Sequence, residues 1–152
     1  MANAQAVCTS FKKDLLNGLH AFGTSVVRGN TNADQFKAAL YVATATVNGS
    51  TTVYSTTGEV SGTGYTAGGV NVTFGTAPNT SGTTAFVTPS ANIVFSGVTL
   101  TTSFDAALIY NSTATLKNAV SVHTFTAQTI TAGTLTLTMP ANDATNALIR
   151  IA

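Results

Sequence analysis

From Phe36 onward the apolar residues fall at every second position. Phe36, Ala38, Leu40 and Val42 share one side of an extended segment, with Lys37, Ala39 and Tyr41 opposite. Asp34-Gln35 could open a helix here, but Thr44-Ala45-Thr46-Val47 follows, and β-branched side chains suit a pleated surface better than a helix. Comparable pieces lie at 70–74, 83–88, 91–96, 98–104, 106–110, 119–126, 130–138 and 147–151. Turn signals separate them: Pro78-Asn79, Ser81-Gly82, Pro89-Ser90, Gly97, Asn111-Ser112, Ala132-Gly133 and Pro140-Ala141-Asn142-Asp143. About eight short strands at regular spacing predict a mainly β chain, an antiparallel β-sandwich or jelly-roll-like domain. No internal repeat of 20–50 residues and no linker divides it.

The N-terminal region has a different period. Phe11, Leu15, Leu19 and Phe22 recur at helical spacing, with Leu16 widening the stripe. A helix is predicted over 9–22, capped by Thr9 or Ser10 and stopped by Gly23. Residues 24–34 read as a loop through Gly29-Asn30-Thr31-Asn32. The expected organisation is an N-terminal helix or arm over 1–30 and a β-sandwich domain over 31–152. An amphipathic helix of that length must lie against something, either its own domain or a neighbour.

Charge changes the picture most. Six Lys and Arg and five Asp and Glu make up 7% of the 152 residues, where about 25% is usual. A globule of this mass exposes about 7,000 Å², or roughly one charge per 650 Å². Clustered phosphate-binding cations are missing, which argues against a nucleic-acid binder. With 44% apolar residues the chain is not a disordered tail, and with Cys8 alone it is not a disulfide scaffold. No run approaches a membrane span, and the N-terminus lacks a clean apolar stretch before a cleavage pattern, so synthesis in a cytosol with Cys8 reduced is expected. The Asn-x-Ser/Thr triplets at Asn48, Asn71, Asn79 and Asn111 are then expected to be unmodified. Thr contributes 30 residues, and hydroxyls can carry solubility or bond across an interface without a charge to desolvate. The expectation is a protein that lives in a homo-oligomer or a large shell.

Candidate chemistry is sparse. Cys8, His20 and His123 show no metal-ligand spacing; a surface histidine and a hydrogen-bonded strand histidine are the plainer reading. Glu59 and Asp105 are the pair a glycosidase would need, yet Asp105 reads more simply as a turn residue. Asn142, Asp143 and Asn146 could offer oxygens to calcium, but a plain Asx-turn accounts for them. The Gly-rich run 62–69 is followed by strand rather than helix and lacks Gly-Lys-Ser/Thr, so it reads as a wide turn or flap, not a phosphate loop. Tyr41, Tyr54, Tyr65 and Tyr110 are spread along the chain and there is no Trp, which disfavours an exposed sugar-binding platform. No catalytic, cofactor-binding or metal residue is assigned, and the chain is not expected to be an enzyme.

Several stretches, in order, resemble a known family. They are Cys8-Thr9-Ser10-Phe11-Lys12, Phe36-Lys37-Ala38-Ala39-Leu40-Tyr41, Gly58-Glu59-Val60, Gly62-Thr63-Gly64-Tyr65-Thr66-Ala67-Gly68-Gly69 and Ser81-Gly82-Thr83-Thr84-Ala85. Ala107-Leu108-Ile109-Tyr110-Asn111-Ser112 and the ending Asn146-Ala147-Leu148-Ile149-Arg150-Ile151-Ala152 complete the set. Together they resemble small virion structural proteins of tailed bacteriophages, variously capsid decoration (cement) or minor tail proteins. Phe86-Val87-Thr88-Pro89-Ser90 stands where the family often has a Phe-Ala-Asp-type strand. The resemblance implies a protein of the virion's capsid surface, made in the host cytoplasm. Its partners would be the major capsid protein and its own copies, commonly as trimers, with neither nucleic acid nor membrane. The 1–30 segment and the 58–69 flap are the candidate contacts. A minor tail or adaptor protein and a carbohydrate-binding β-sandwich are the alternatives.

Overall fold

The computed structural model describes residues 3–16, 19–22 and 33–152, with only the backbone of Lys12, Lys13 and Leu16. Among these, the chain is mainly β with two antiparallel sheets. In chain order the elements are β1 (Ala6–Val7), α1 (Thr9–Leu16), β2 (Phe36–Val42), β3 (Val70–Val72), β4 (Asn79–Ser81), β5 (Thr84–Val87), β6 (Ile93–Asn111), β7 (Ala119–Leu137) and β8 (Ile149–Ile151). The larger sheet runs β1-β7-β6-β2-β3, and the smaller runs β4-β5-β8.

The alternating pattern places the strands, but three of the breaks expected between them do not occur. Pieces 91–96, 98–104 and 106–110 form one strand, β6, and pieces 119–126 and 130–138 merge into β7. Gly97 (φ 65°) and Ala132 (φ 46°) adopt left-handed backbone, yet the pairing continues past them with shifts of register, among them those between Phe95 and Val98 and between Val98 and Leu100. The glycine signals therefore mark bulges rather than turns. At nineteen residues each, β6 and β7 form a hairpin about 60 Å long. Its register runs from Ile93 opposite Leu137 to Tyr110 opposite Ala119.

The two ends of this hairpin differ. From Ala106 to Asn111, β6 is buried on both faces, between β7 and β2, and Ala38, Ala39 and Leu40 of β2 are fully buried too. The single apolar face expected for β2 is thus two, as befits a central strand. At the other end, residues 101–103 of β6 and 126–129 of β7 are exposed whichever way they point. Strand does not continue through 44–47. Ala45 N–H donates to the Val42 carbonyl and turns the chain, while Val47 binds the N-terminal segment through Ala4 and Asn3. Asn79–Ser81, expected as turn, pairs with β5, leaving Gly82 and Thr83 as the reversal.

The helix is shorter than the 9–22 expected. It covers Thr9–Leu16, and the Leu19 N–H donates to the Asp14 carbonyl, a bond five residues back that closes a helix end. Residues 19–22 are not helical; Phe22 is buried by stacking on Phe36 at 4.6 Å. The loop expected over 24–34 lies outside the described residues up to residue 32. One buried cluster joins Cys8, Phe11 and Phe22 to Leu40, Leu108 and Val120, and also takes in Val87 and Ile149 from the smaller sheet. The described part of the 1–30 segment therefore packs on the β structure: β1 pairs with Ser121 and Val122, and Cys8 N–H donates to the Val120 carbonyl.

The glycine-rich flap crosses this sheet. Gly69 has φ +73°, and a Cβ there would run into the carbonyl oxygen of Ala38. Gly82 has φ +58° but open space around it. Gly69→Ala is therefore expected to cost about 2–4 kcal/mol, from clash and strain together, and Gly82→Ala about 1 kcal/mol from backbone strain alone. Urea denaturation of the two variants measures the difference; equal losses would place Gly69 in looser surroundings than described.

Candidate functional site

The flap is held by an acidic hub. Gly58 and Val60 bond to Val42 and Leu40 of β2, which places Glu59 opposite Tyr41. The chain then bridges to β6, where Thr99 N–H donates to the Thr63 carbonyl at 2.9 Å. The Glu59 carboxylate accepts three hydrogen bonds, from the Tyr54 and Tyr65 hydroxyls and the Gly68 N–H, each at 2.7 Å. Tyr110 donates to the Gly68 carbonyl at 2.8 Å, and the Tyr65 oxygen accepts from the Leu40 N–H. Tyr54 stacks on Tyr110 at 4.6 Å, Tyr65 on Phe95 at 6.0 Å, and the Lys117 ammonium lies 5.2 Å from the Tyr54 ring centre. Four tyrosines that look dispersed in sequence thus converge around one carboxylate.

Their surroundings keep these phenols protonated. Burial pushes Tyr41 and Tyr110 up to about 12. For Tyr54 and Tyr65, burial and then the hydrogen bond to Glu59 both act in the same direction. The rings of Tyr41 and Tyr110 are buried and their hydroxyls occupied, so they form a structural rivet and not an open sugar platform.

The other candidate residues occupy separate places. Asp105 does not sit in a turn; it lies within β6 and accepts a hydrogen bond from Asn3, which also bonds Val42 and Val47. It shares no hydrogen-bond partner with Glu59. Cys8 is fully buried, and burial lifts its thiol to about 11. His20 is not on the surface. It lies among Phe11, Phe22 and Phe36, with Nδ1 3.1 Å from the Asn111 amide and Nε2 3.9 Å from Asp14. Asn111 also donates to Asp34 and accepts from the Thr113 and Ala114 N–H groups, so the buried amide organises the β6–β7 connection. Asp143 forms an Asx-turn, accepting from Thr145 and Asn146; these bonds, that of the Asn146 side chain first, hold its carboxyl below the usual range. Among the described residues no three His, Cys, Asp or Glu side chains gather as a metal site would need, and no helix is long and apolar enough to cross a membrane.

One pair escaped the sequence reading. Ser121 Oγ and His123 Nε2 lie 2.8 Å apart, two residues apart on one face of β7. The period-two pattern was the available signal. Ser121 is fully buried while His123 is half-buried, and burial draws His123 down to about 4. Open depressions of about 420 Å³ beside Tyr41, Val53 and Thr57, and of about 300 Å³ beside His123, Phe125, Met139 and Leu148, have no charged residue in their linings. Comparison with protein-family models, with curated proteins and with solved structures gives no significant match.

Two outcomes follow from this geometry. Tyr65→Phe removes a donor to Glu59 and the acceptor for Leu40, and is expected to cost about 1–3 kcal/mol in urea denaturation. His123 binds its proton less readily folded than unfolded, so between pH 6.5 and about 4 the unfolded chain holds more protons and stability rises with pH. Stability is expected to fall by on the order of 2 kcal/mol between pH 7 and 4.5 on this account. His123→Gln should flatten that slope; an unchanged slope would assign it to other groups.

Proposed function

We propose that this chain is a structural subunit of a virus particle, a bacteriophage capsid decoration (cement) protein that binds and stabilises the major capsid protein lattice, and that it works without catalysis. The observation that carries the reading is the near absence of charge where the molecule is most exposed. Residues 60–142 contain two charged side chains, Asp105 and Lys117. Asp105 is tied to Asn3 and Lys117 lies over Tyr54, so the outer half of the hairpin is bare of ions. That half instead presents Thr101, Thr102, Thr126 and Thr129. A monomer dispersed in solvent relies on charge for solubility, whereas interface centres are depleted of Lys, Glu and Asp.

The resemblance to small phage virion proteins agrees with this composition. On this reading the two sheets are layers of a sandwich, since Val87 and Ile149 of the smaller share the buried cluster of the larger. Copies decorate the shell as homo-oligomers, trimers by family analogy, and many modest contacts add by multivalency. Because binding selects the expanded shell, it stabilises that state by mass action. The two tyrosines buried around Glu59 weigh against the carbohydrate-binding alternative.

Cryo-electron microscopy of particles with and without the protein, followed by heating both, tests the proposal. Density repeated over the outer lattice and greater heat resistance of the decorated particles are expected. Density confined to the tail would replace the reading with that of a tail component. Equal survival on heating would remove the stabilising role.

A further inference from the structure

We propose that the outer edge of β7, over residues 123–131, pairs antiparallel with the same edge of a second copy of this chain. In the five-stranded sheet β7 has β6 on one side and β1 on the other, but β1 reaches only Ser121 and Val122. Among the described residues no strand or bridge lies along that edge beyond Val122. An edge strand turns alternate N–H and C=O groups outward, and an exposed row of them is a template for another strand.

Native proteins guard such edges with lysine, proline, inward charges or bulges. Residues 123–131, His-Thr-Phe-Thr-Ala-Gln-Thr-Ile-Thr, contain none of the first three; the fourth is present, since the register against β6 shifts between Thr124 and Gln128 and again between Gln128 and Ile130. On the far side of Ala132 the edge remains neutral to Asn142. The edge thus has neither charge nor proline to keep a second strand away, and its bulges are the one such obstacle to pairing.

Length and charge select the occupant. β3, β4 and β8 have three residues each and β1 has two, and the outer edge of β6 is crossed by the flap at Thr99, so the edge left to match β7 is that of β7 itself. An isologous contact sets each residue against a symmetry mate, and any charge near the dyad would meet its own kind. No Asp, Glu, Lys or Arg lies within it. With the axis near Ala127, Thr126 meets the Gln128 amide, Thr129 meets Phe125, Thr131 meets His123 and Thr124 meets Ile130, so no pair sets like charges together. The contact is two-fold, so it joins two copies even where a larger ring exists. The inference deepens the assembly reading and rests on it for the premise that copies meet.

The test uses the full chain in two ways. In sedimentation velocity, the apparent mass of the wild type is expected to rise toward twice the monomer with concentration. The double variant Thr126→Lys, Gln128→Lys should remain at monomer mass, with an unchanged melting temperature at low concentration. Second, Ala127→Cys should give a disulfide-linked dimer under mild oxidation, while wild type gives none because Cys8 is buried. A wild type that stays monomeric into the millimolar range overturns the inference, as does a lysine variant that still dimerises. Failure of Ala127→Cys to cross-link across the dimer overturns it too, including the case in which this chain's residues 23–32 or an unlike protein occupies the edge. Particles decorated by a chain that never dimerises would sink this inference and leave the assembly reading standing. Dimers that never bind a particle would do the reverse.

Discussion

Everything in this molecule hangs on the antiparallel pairing of β6 with β7. Nineteen residues of each strand are committed to it, and a slip of one residue would turn every side chain to the opposite face. In the inner half such a slip is heavily penalised, because Leu108, Ile109 and Tyr110 are enclosed on both faces by β2, the flap and the N-terminal segment. Asn111 fixes the turn end by accepting from Thr113 and Ala114, and the bulges at Gly97 and Ala132 absorb the irregularities of the outer half. The remaining elements attach to this frame: β2 along one edge of inner β6, the flap along outer β6, and β1 on the start of β7.

Much of this was legible in the sequence because alternation is a local signal. Phe36 to Val42, Val70 to Val72 and Thr84 to Val87 were placed by period two and by β-branched content. What was not legible depends on distant partners. Gly97 and Gly133 carry the same residue type as a turn, and only a continuous partner strand makes them bulges. Asp105 looks like punctuation until Asn3 is brought beside it. His20 would be a surface residue on a helix running to Phe22, but residues 19–22 are not helical and the ring is buried among phenylalanines. The Glu59 hub unites Tyr54, Tyr65, Gly68 and, through Gly68, Tyr110, which lies 42 positions away. No window along the chain contains that arrangement.

The polar economy of the fold explains how so few charges suffice. Neutral donors reach its carboxylates: phenols and an amide bond Glu59, Asn111 and the Ala21 N–H bond Asp34, and Asn118 bonds Asp14. Carboxylates held by such bonds rigidify the loops around them. The outside is left to hydroxyls. Such a surface can be covered by another protein at little desolvation cost, since no ion must be stripped of water. Rigid loops inside and a neutral edge outside suit a piece that is held in place by its neighbours.

Amide hydrogen exchange along β7, read at low and at high protein concentration, probes this account most directly. The amides of β6 from Ala106 to Tyr110 should be slow at both concentrations, as they are paired within one chain. On residues 123–131, the alternate amides that face away from β6 should exchange freely when dilute and become protected when concentrated. If their exchange is the same at both concentrations, the uncharged half of the hairpin is not a surface awaiting another copy, and the central claim is contradicted.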